Sequence, residues 1–153
     1  ALAPTFIPFT PWTTIINYIE LLEKIAELKL IMSVNPVQLS LRLLIPSGSR
    51  ILELPKEETC ITGFNPASLG YSWVHRDQEV DTLQENIRLW TEKAESQGLD
   101  RLQIFNGIRR IALKAAGRDD LDVTKEQCGD SVPVHSESWY CCAEPTEQQL
   151  VSF

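Results

Sequence analysis

Residues 77–117 constrain the fold of this chain more than any other stretch, because two apolar stripes of helical period follow each other across a short link. Val80, Leu83, Ile87, Trp90 and Ala94 recur at spacings of three and four, which places them on one face of a helix. Asp77 precedes the stripe as an N-cap and Gly98 ends it. Leu102, Phe105, Ile108, Ala112 and Ala115 repeat the pattern between Asp100 and Gly117. Two amphipathic helices joined so closely pack side by side, so an antiparallel helical hairpin is expected here.

Ahead of it the text alternates between strand and helix signals. Thr5 to Phe9 reads as a short strand between prolines, and the turn Thr10-Pro11-Trp12-Thr13-Thr14 offers Thr13 or Thr14 as a helix cap. Ile15, Ile19, Leu22 and Ile25 or Ala26 then follow a helical period, with Pro36 beyond the end. In Val37 to Ile45 the apolar Val37, Leu39, Leu41 and Leu43 alternate with Gln38, Ser40 and Arg42, which reads as a second strand closed by the turn at 46–49. A strand, a helix and a strand with such short links make a βαβ unit with parallel strands. Buried parallel strands are usually apolar on both faces. The polar face of this one therefore fits either a barrel lumen that holds a ligand or an edge strand. Residues 56–76 lose the pattern and read as a loop, rich in aromatics at Phe64, Tyr71 and Trp73. It suits a lid or substrate wall, or packing at a barrel end. His75 and Asp77 stand close enough for acid–base work, though a histidine ahead of a helix cap more often serves structure. Residues 118–138 are polar and are expected on the surface.

A formal charge of −7 and a pI near 4.8 argue against nucleic acid or an anionic membrane as partner. The longest apolar run, Ile15 to Ile31, is broken by Glu20, Glu23, Lys24, Glu27 and Lys29, so no membrane span is expected. Four cysteines without a secretory signal favour a reducing cytoplasm. The chain starts without Met inside strand-like text, which suggests a piece of a longer protein whose N-terminal part is missing.

Two of those four cysteines are adjacent, in Trp139-Tyr140-Cys141-Cys142-Ala143-Glu144-Pro145. Vicinal thiols can close only a strained eight-membered disulfide ring, and strained disulfides are the easily reduced ones. The pair points to thiol redox chemistry or to metal capture, beside the plain alternative of two small buried hydrophobes. For a metal, Cys128, His135, Cys141 and Cys142 offer four N/S ligands, the right number for tetrahedral zinc, although the spacing C-x6-H-x5-C-C is not that of a standard finger.

The order Thr5 to Thr14, then Ala26-Glu27-Leu28-Lys29-Leu30, then Leu44-Ile45-Pro46-Ser47-Gly48-Ser49 resembles the end of a radical SAM barrel. The tail around Cys141-Cys142-Ala143-Glu144-Pro145 resembles the CCAEP tail of the CUAEP/CCAEP-tail radical SAM family, in which some relatives carry selenocysteine at the position matching Cys142. The resemblance implies an α/β fold: the C-terminal β-α-β portion of an open radical SAM (β/α) barrel over residues 1–55, the connecting loop 56–76, the helical hairpin 77–117 and an irregular tail, 118–153. It also implies an enzyme that cleaves S-adenosylmethionine at a [4Fe-4S] cluster, with cobalamin as a further cofactor of similar enzymes. The cluster motif C-x3-C-x2-C is absent from this chain, so the ligands would lie in the missing N-terminal part and the piece alone would be inactive.

On that resemblance Cys141 and Cys142 are the catalytic candidates, with Cys142 expected to react first. Gln38, Ser40 and Arg42 would line the lumen and meet the methionine carboxylate, the ribose or the substrate; for Arg42 the alternative is a salt bridge that closes the barrel edge. Trp12, at the C-terminal end of a barrel-like strand, would stack on adenine or substrate, or else pack against the next helix. The rival reading is a non-catalytic helical interaction module whose Cys/His tail binds zinc or a partner.

Overall fold

Helix α1 (Ile15–Glu27) begins where the Thr14 hydroxyl accepts the Asn17 N–H at 3.1 Å. The computed structural model describes residues 4–119 together with Thr124, Cys128 and Gly129. Within them the fold is mixed α/β, with four helices and a small three-stranded antiparallel sheet. The other elements are β1 (Ile45–Pro46), α2 (Lys56–Thr59), β2 (Ile61–Asn65), β3 (Gly70–Trp73), α3 (Gln78–Ser96) and α4 (Arg101–Ala115).

The hairpin of α3 and α4 forms as the periodicity predicts. Asp77 caps α3 by accepting from Glu79 N at 2.9 Å. Asp100 and Gln103 make a reciprocal capping box at the start of α4, which satisfies two backbone donors that the helix cannot use itself. All three long helices end in the same way: the third residue past the last helical one donates five residues back, and the residue before it is left-handed. Leu99 N reaches Ala94 O at 3.0 Å past Gly98, and Arg118 N reaches Leu113 O at 2.9 Å past Gly117. In α1 the bond is Leu30 N to Ile25 O at 2.9 Å, and the left-handed position is occupied by Lys29, at φ 56°.

Between α3 and α4, Trp90 lies across Gly107, and its indole N–H donates to Ile104 O at 3.1 Å. The core joins the buried faces of α1 (Tyr18, Ile19, Leu22, Ile25), α3 (Leu83, Ile87) and α4 (Ile104, Ile108), with Phe9 and Leu39. Phe9 stacks on Tyr18 with ring centres 4.8 Å apart. Cys128 is also in this core, at 5 % exposure, although residues 118–138 read as surface text.

Two expected strands are cut short. Pro36–Ser40 is a 3₁₀ helix, not the first half of a strand. The Asn35 side chain accepts from Val37 N at 3.1 Å and Pro36 takes the first helical position, so a local cap and a fixed proline φ override the alternation. Extended backbone starts only at Leu41. In the N-terminal segment the pairing is confined to Phe9, because Pro4 and Pro8 have no N–H to give a ladder. The parallel bridge Phe9–Arg42 remains, with Phe9 N to Leu41 O at 3.2 Å and Leu43 N to Phe9 O at 2.8 Å. A helix, α1, therefore joins two parallel extended segments, as the βαβ reading expects, but through one bridge.

The expected loop at 56–76 instead contains α2 and a β-hairpin. β3 lies between β1 and β2, with Ile45 opposite Tyr71 and Phe64 opposite Tyr71 on the other side. Phe64 and Tyr71 meet edge to face at 5.3 Å, a cross-strand pair that helps hold the register. Asn65 shapes the turn by accepting from Ala67 N at 3.0 Å. At Gly70 a side chain would fall on Leu44 and on the Ile45 carbonyl, so the absence of a Cβ lets β1 approach β3. The alternation of this hairpin was hidden by Gly63, where the β2–β3 register shifts.

Candidate functional site

The residues proposed to line a lumen, Gln38, Ser40 and Arg42, lie around the parallel bridge, and the side chains of all three are hydrogen-bonded within the chain. Gln38 is buried, and its Oε1 accepts from Phe6 N at 3.1 Å, tying the N-terminal segment to the 3₁₀ turn. The Ser40 hydroxyl donates to Val37 O at 2.9 Å, while its carbonyl accepts from Gln84 Nε2 at 2.9 Å. Because 36–40 is helical, Gln38, Ser40 and Arg42 do not share the face that strand alternation would give them.

Arg42 is the hub of the region. Its Nη1 donates to Asp81 Oδ1 at 2.6 Å and its Nη2 to Trp73 O at 2.8 Å. The guanidinium carbon stands 3.9 Å above the Trp73 ring, a cation–π geometry. The second Asp81 oxygen accepts from His75 N at 2.8 Å, and Trp73 Nε1 donates to Leu43 O at 2.8 Å. The side chains of Arg42 and Asp81 are 18 % and 24 % exposed, so the pair is largely shielded from water. One arginine thus joins the extended segment at 41–43, strand β3 and the start of α3. The planar fork that suits a carboxylate ligand is here divided between the Asp81 carboxylate and the Trp73 carbonyl.

Trp12 is the open member, 47 % exposed at the end of the first segment. Its turn is held by Thr13, whose hydroxyl donates to Pro8 O at 2.7 Å and accepts from Thr10 N at 3.0 Å. His75 and Asp77 do not form an acid–base pair. The Asp77 carboxylate caps α3, and His75 Nδ1 accepts the Asp77 N–H at 2.9 Å. Tyr18 is fully enclosed and burial pushes its hydroxyl pKa well above the usual value near 10; it donates to Leu39 O at 2.8 Å. Outside this region, Arg88 holds Glu85 below the ordinary carboxylate range through hydrogen bonds at 2.7 and 2.8 Å.

Cys141, Cys142 and His135 lie outside the described residues. Of the alternative zinc set only Cys128 is described, and its thiol donates to Thr124 O at 3.5 Å within apolar surroundings. Among the described residues no group of three His, Cys, Asp or Glu is arranged to hold a metal, and no helix is long and apolar enough to cross a membrane. An open cleft of about 540 Å³ lies elsewhere, between Glu79, Thr82, Asn86 and Leu83 of α3 and Ile111, Lys114 and Ala115 of α4. None of the described candidate site residues borders it.

Sequence reasoning missed Asp81 and Trp73 as partners of Arg42. Asp81 carried one weak signal, as an acid one turn past the N-cap Asp77, where it also favours the helix dipole. Nothing local tells that it faces a residue 39 positions earlier. No family model, curated protein or solved structure matches this chain.

Proposed function

We propose that this chain is the C-terminal part of a radical SAM enzyme of the CUAEP/CCAEP-tail kind, with Cys141 and Cys142 as a redox-active thiol pair. The reading is carried by the tail Trp139-Tyr140-Cys141-Cys142-Ala143-Glu144-Pro145. The arrangement around Phe9 supports it: a helix connects two extended segments that pair in parallel, the unit from which (β/α) barrels are built. Trp12 follows the first segment at its C-terminal end, where such barrels place their ligands, and its ring is open to stacking.

The described residues do not fit a [4Fe-4S] cluster, since Cys60 and Cys128 are the described thiols and no clustered ligand set accompanies them. Nor does Arg42 fit a free carboxylate while Asp81 holds it. The proposed division of labour therefore leaves cluster, S-adenosylmethionine and any cobalamin to the preceding part of the same protein. This chain contributes the sheet end, the aromatic turn and the thiols. Gln38, Ser40 and Arg42 serve as braces that position the 41–43 segment.

The test is to express the chain with the coding region upstream of it and to assay the reduced, iron-loaded protein for 5′-deoxyadenosine from S-adenosylmethionine. Formation of the nucleoside is expected, and replacement of Cys142 by Ser is expected to abolish turnover of the substrate while uncoupled cleavage continues. An upstream region without C-x3-C-x2-C, or no nucleoside at all, would refute the reading. Stoichiometric zinc in the purified chain would favour the interaction module instead.

A further inference from the structure

The two edges of the three-stranded sheet are built differently. One edge is β1, two residues long and ending in Pro46, which has no N–H to offer another strand. The other is β2, whose Thr62, Gly63 and Phe64 are all exposed. Edge strands are usually guarded by a charged side chain or a proline. β2 contains neither, and no Lys, Arg, Asp or Glu occurs from Thr59 to Val74. Phe64, Leu69 and Val74 stand out from this segment at 48 %, 73 % and 55 % exposure. At Gly63 the φ is not positive, and a Cβ would meet nothing within 4 Å among the described residues. The register shift beside it does not call for glycine either, since a bulge does so only where φ is positive. No described residue therefore requires glycine at the middle of β2, whereas a glycine inside a strand often marks the close approach of another backbone.

We propose that β2 pairs antiparallel with β2 of a second copy of this chain, continuing the sheet across a twofold axis. Charge decides the occupant. Each copy carries a formal −7, so two copies repel unless they meet where neither bears charge. The segment from Thr59 to Val74 is such a place, with Lys56, Glu57 and Glu58 ahead of it and Arg76 and Asp77 behind it. A twofold near the middle of β2 sets Gly63 of one copy opposite or next to Gly63 of the other, with no side chain to hold the backbones apart. The contact presents the same edge to itself, so it closes at two copies, and Pro46 on the opposite edge opposes further addition. Five residues make a strand of about 17 Å. A contact of that size is small, so the association is weak and depends on concentration. It is independent of the function proposed above.

The test is sedimentation equilibrium of the whole chain from about 10 μM to 1 mM, in reducing buffer so that no disulfide links the copies. The average mass is expected to rise with concentration from 17.3 kDa toward twice that value. Amide exchange at residues 61–65 should slow by about threefold or more over the same range, while Ile45, on the other edge, keeps its rate. Gly63→Lys alone and Gly63→Glu alone each set like charges across the twofold, and each should weaken association by about tenfold or more. Mixed in equal amounts, the two variants should recover the association of the parent, which neither a misfolded chain nor nonspecific aggregation would do. Circular dichroism checks that each variant keeps its fold, and the exchange readout on the unaltered chain decides if one does not. A parent that stays monomeric at about 1 mM, or a rise in mass without protection of β2, would overturn the pairing. So would folded variants whose mixture associates no better than either alone.

Discussion

Gly107 is in the middle of α4, where alanine ordinarily stabilises a helix by about 1 kcal/mol. Here the structure reverses the expectation. A Cβ at Gly107 would penetrate the Trp90 indole, overlapping both the six-membered ring and the ring nitrogen by more than an ångström. The obstacle is a large ring held against α4 by its bond to Ile104 O, not the loose tip of a flexible chain. To admit the methyl group Trp90 must move, which strains the α3–α4 packing by about 1–3 kcal/mol. Moving it also breaks the indole hydrogen bond, a loss of about 1 kcal/mol. Set against the gain in propensity, Gly107→Ala should destabilise the chain by roughly 1–3 kcal/mol. In a Trp90→Leu background the obstacle is absent, and the same change should stabilise by about 1 kcal/mol. The pair should therefore couple by about 3 kcal/mol in a double-mutant cycle, near the upper end for residues in contact. Urea unfolding followed by far-UV circular dichroism measures all four proteins, with the slope against urea as a check for two-state behaviour. A Gly107→Ala protein more stable than the parent, or an equal effect in both backgrounds, would show that Trp90 does not lie on Gly107.

Three further predictions test other contacts. Lys29→Gly should stabilise by about 0.5–1 kcal/mol, because the left-handed stop of α1 holds a side chain where the other two long helices use glycine; urea midpoints would show it. Thr91→Val should stabilise by about 1 kcal/mol or more, since the buried Thr91 hydroxyl has no hydrogen-bond partner among the described residues and valine keeps its shape; a less stable variant in thermal melts would argue against this. Tyr18→Phe should cost about 1 kcal/mol at neutral pH by orphaning Leu39 O. It should also change the alkaline response. Burial raises the folded pKa of Tyr18, so its contribution is fully present below the unfolded value near 10 and is lost as pH rises from there toward the folded pKa. Between pH 10 and 11 the parent should lose stability faster than Tyr18→Phe, by up to about 1.4 kcal/mol per pH unit, and parallel pH curves would refute the burial of this hydroxyl.

What the sequence by itself determined is local. The stripes of α1, α3 and α4 needed only spacing along the chain, and Thr14, Asp77, Asp100, Gly98 and Gly117 act on backbone groups within a turn of themselves. Those signals were legible because capping and helical periodicity operate over three to five residues. The alternation at 37–45 was misleading for the same reason: Asn35 and Pro36, at close range, favour a 3₁₀ turn before any strand partner is met. The hairpin at 61–73 was illegible because a bulge and Gly63 break its alternation, and its register depends on a partner strand and not on its own text. At the candidate site the residue types were readable and their employment was not. Gln38, Ser40 and Arg42 read as residues of a lumen, with a salt bridge as the alternative for Arg42, and nothing near them in sequence announced their partners Phe6, Gln84 and Asp81, which lie 32, 44 and 39 residues away. Tertiary structure alone brought Trp90 onto Gly107 and Gly129 onto Lys29, where a missing side chain matters only because of what stands opposite. A polar or small residue states what it can do; only the packed fold supplies the partner that decides what it does.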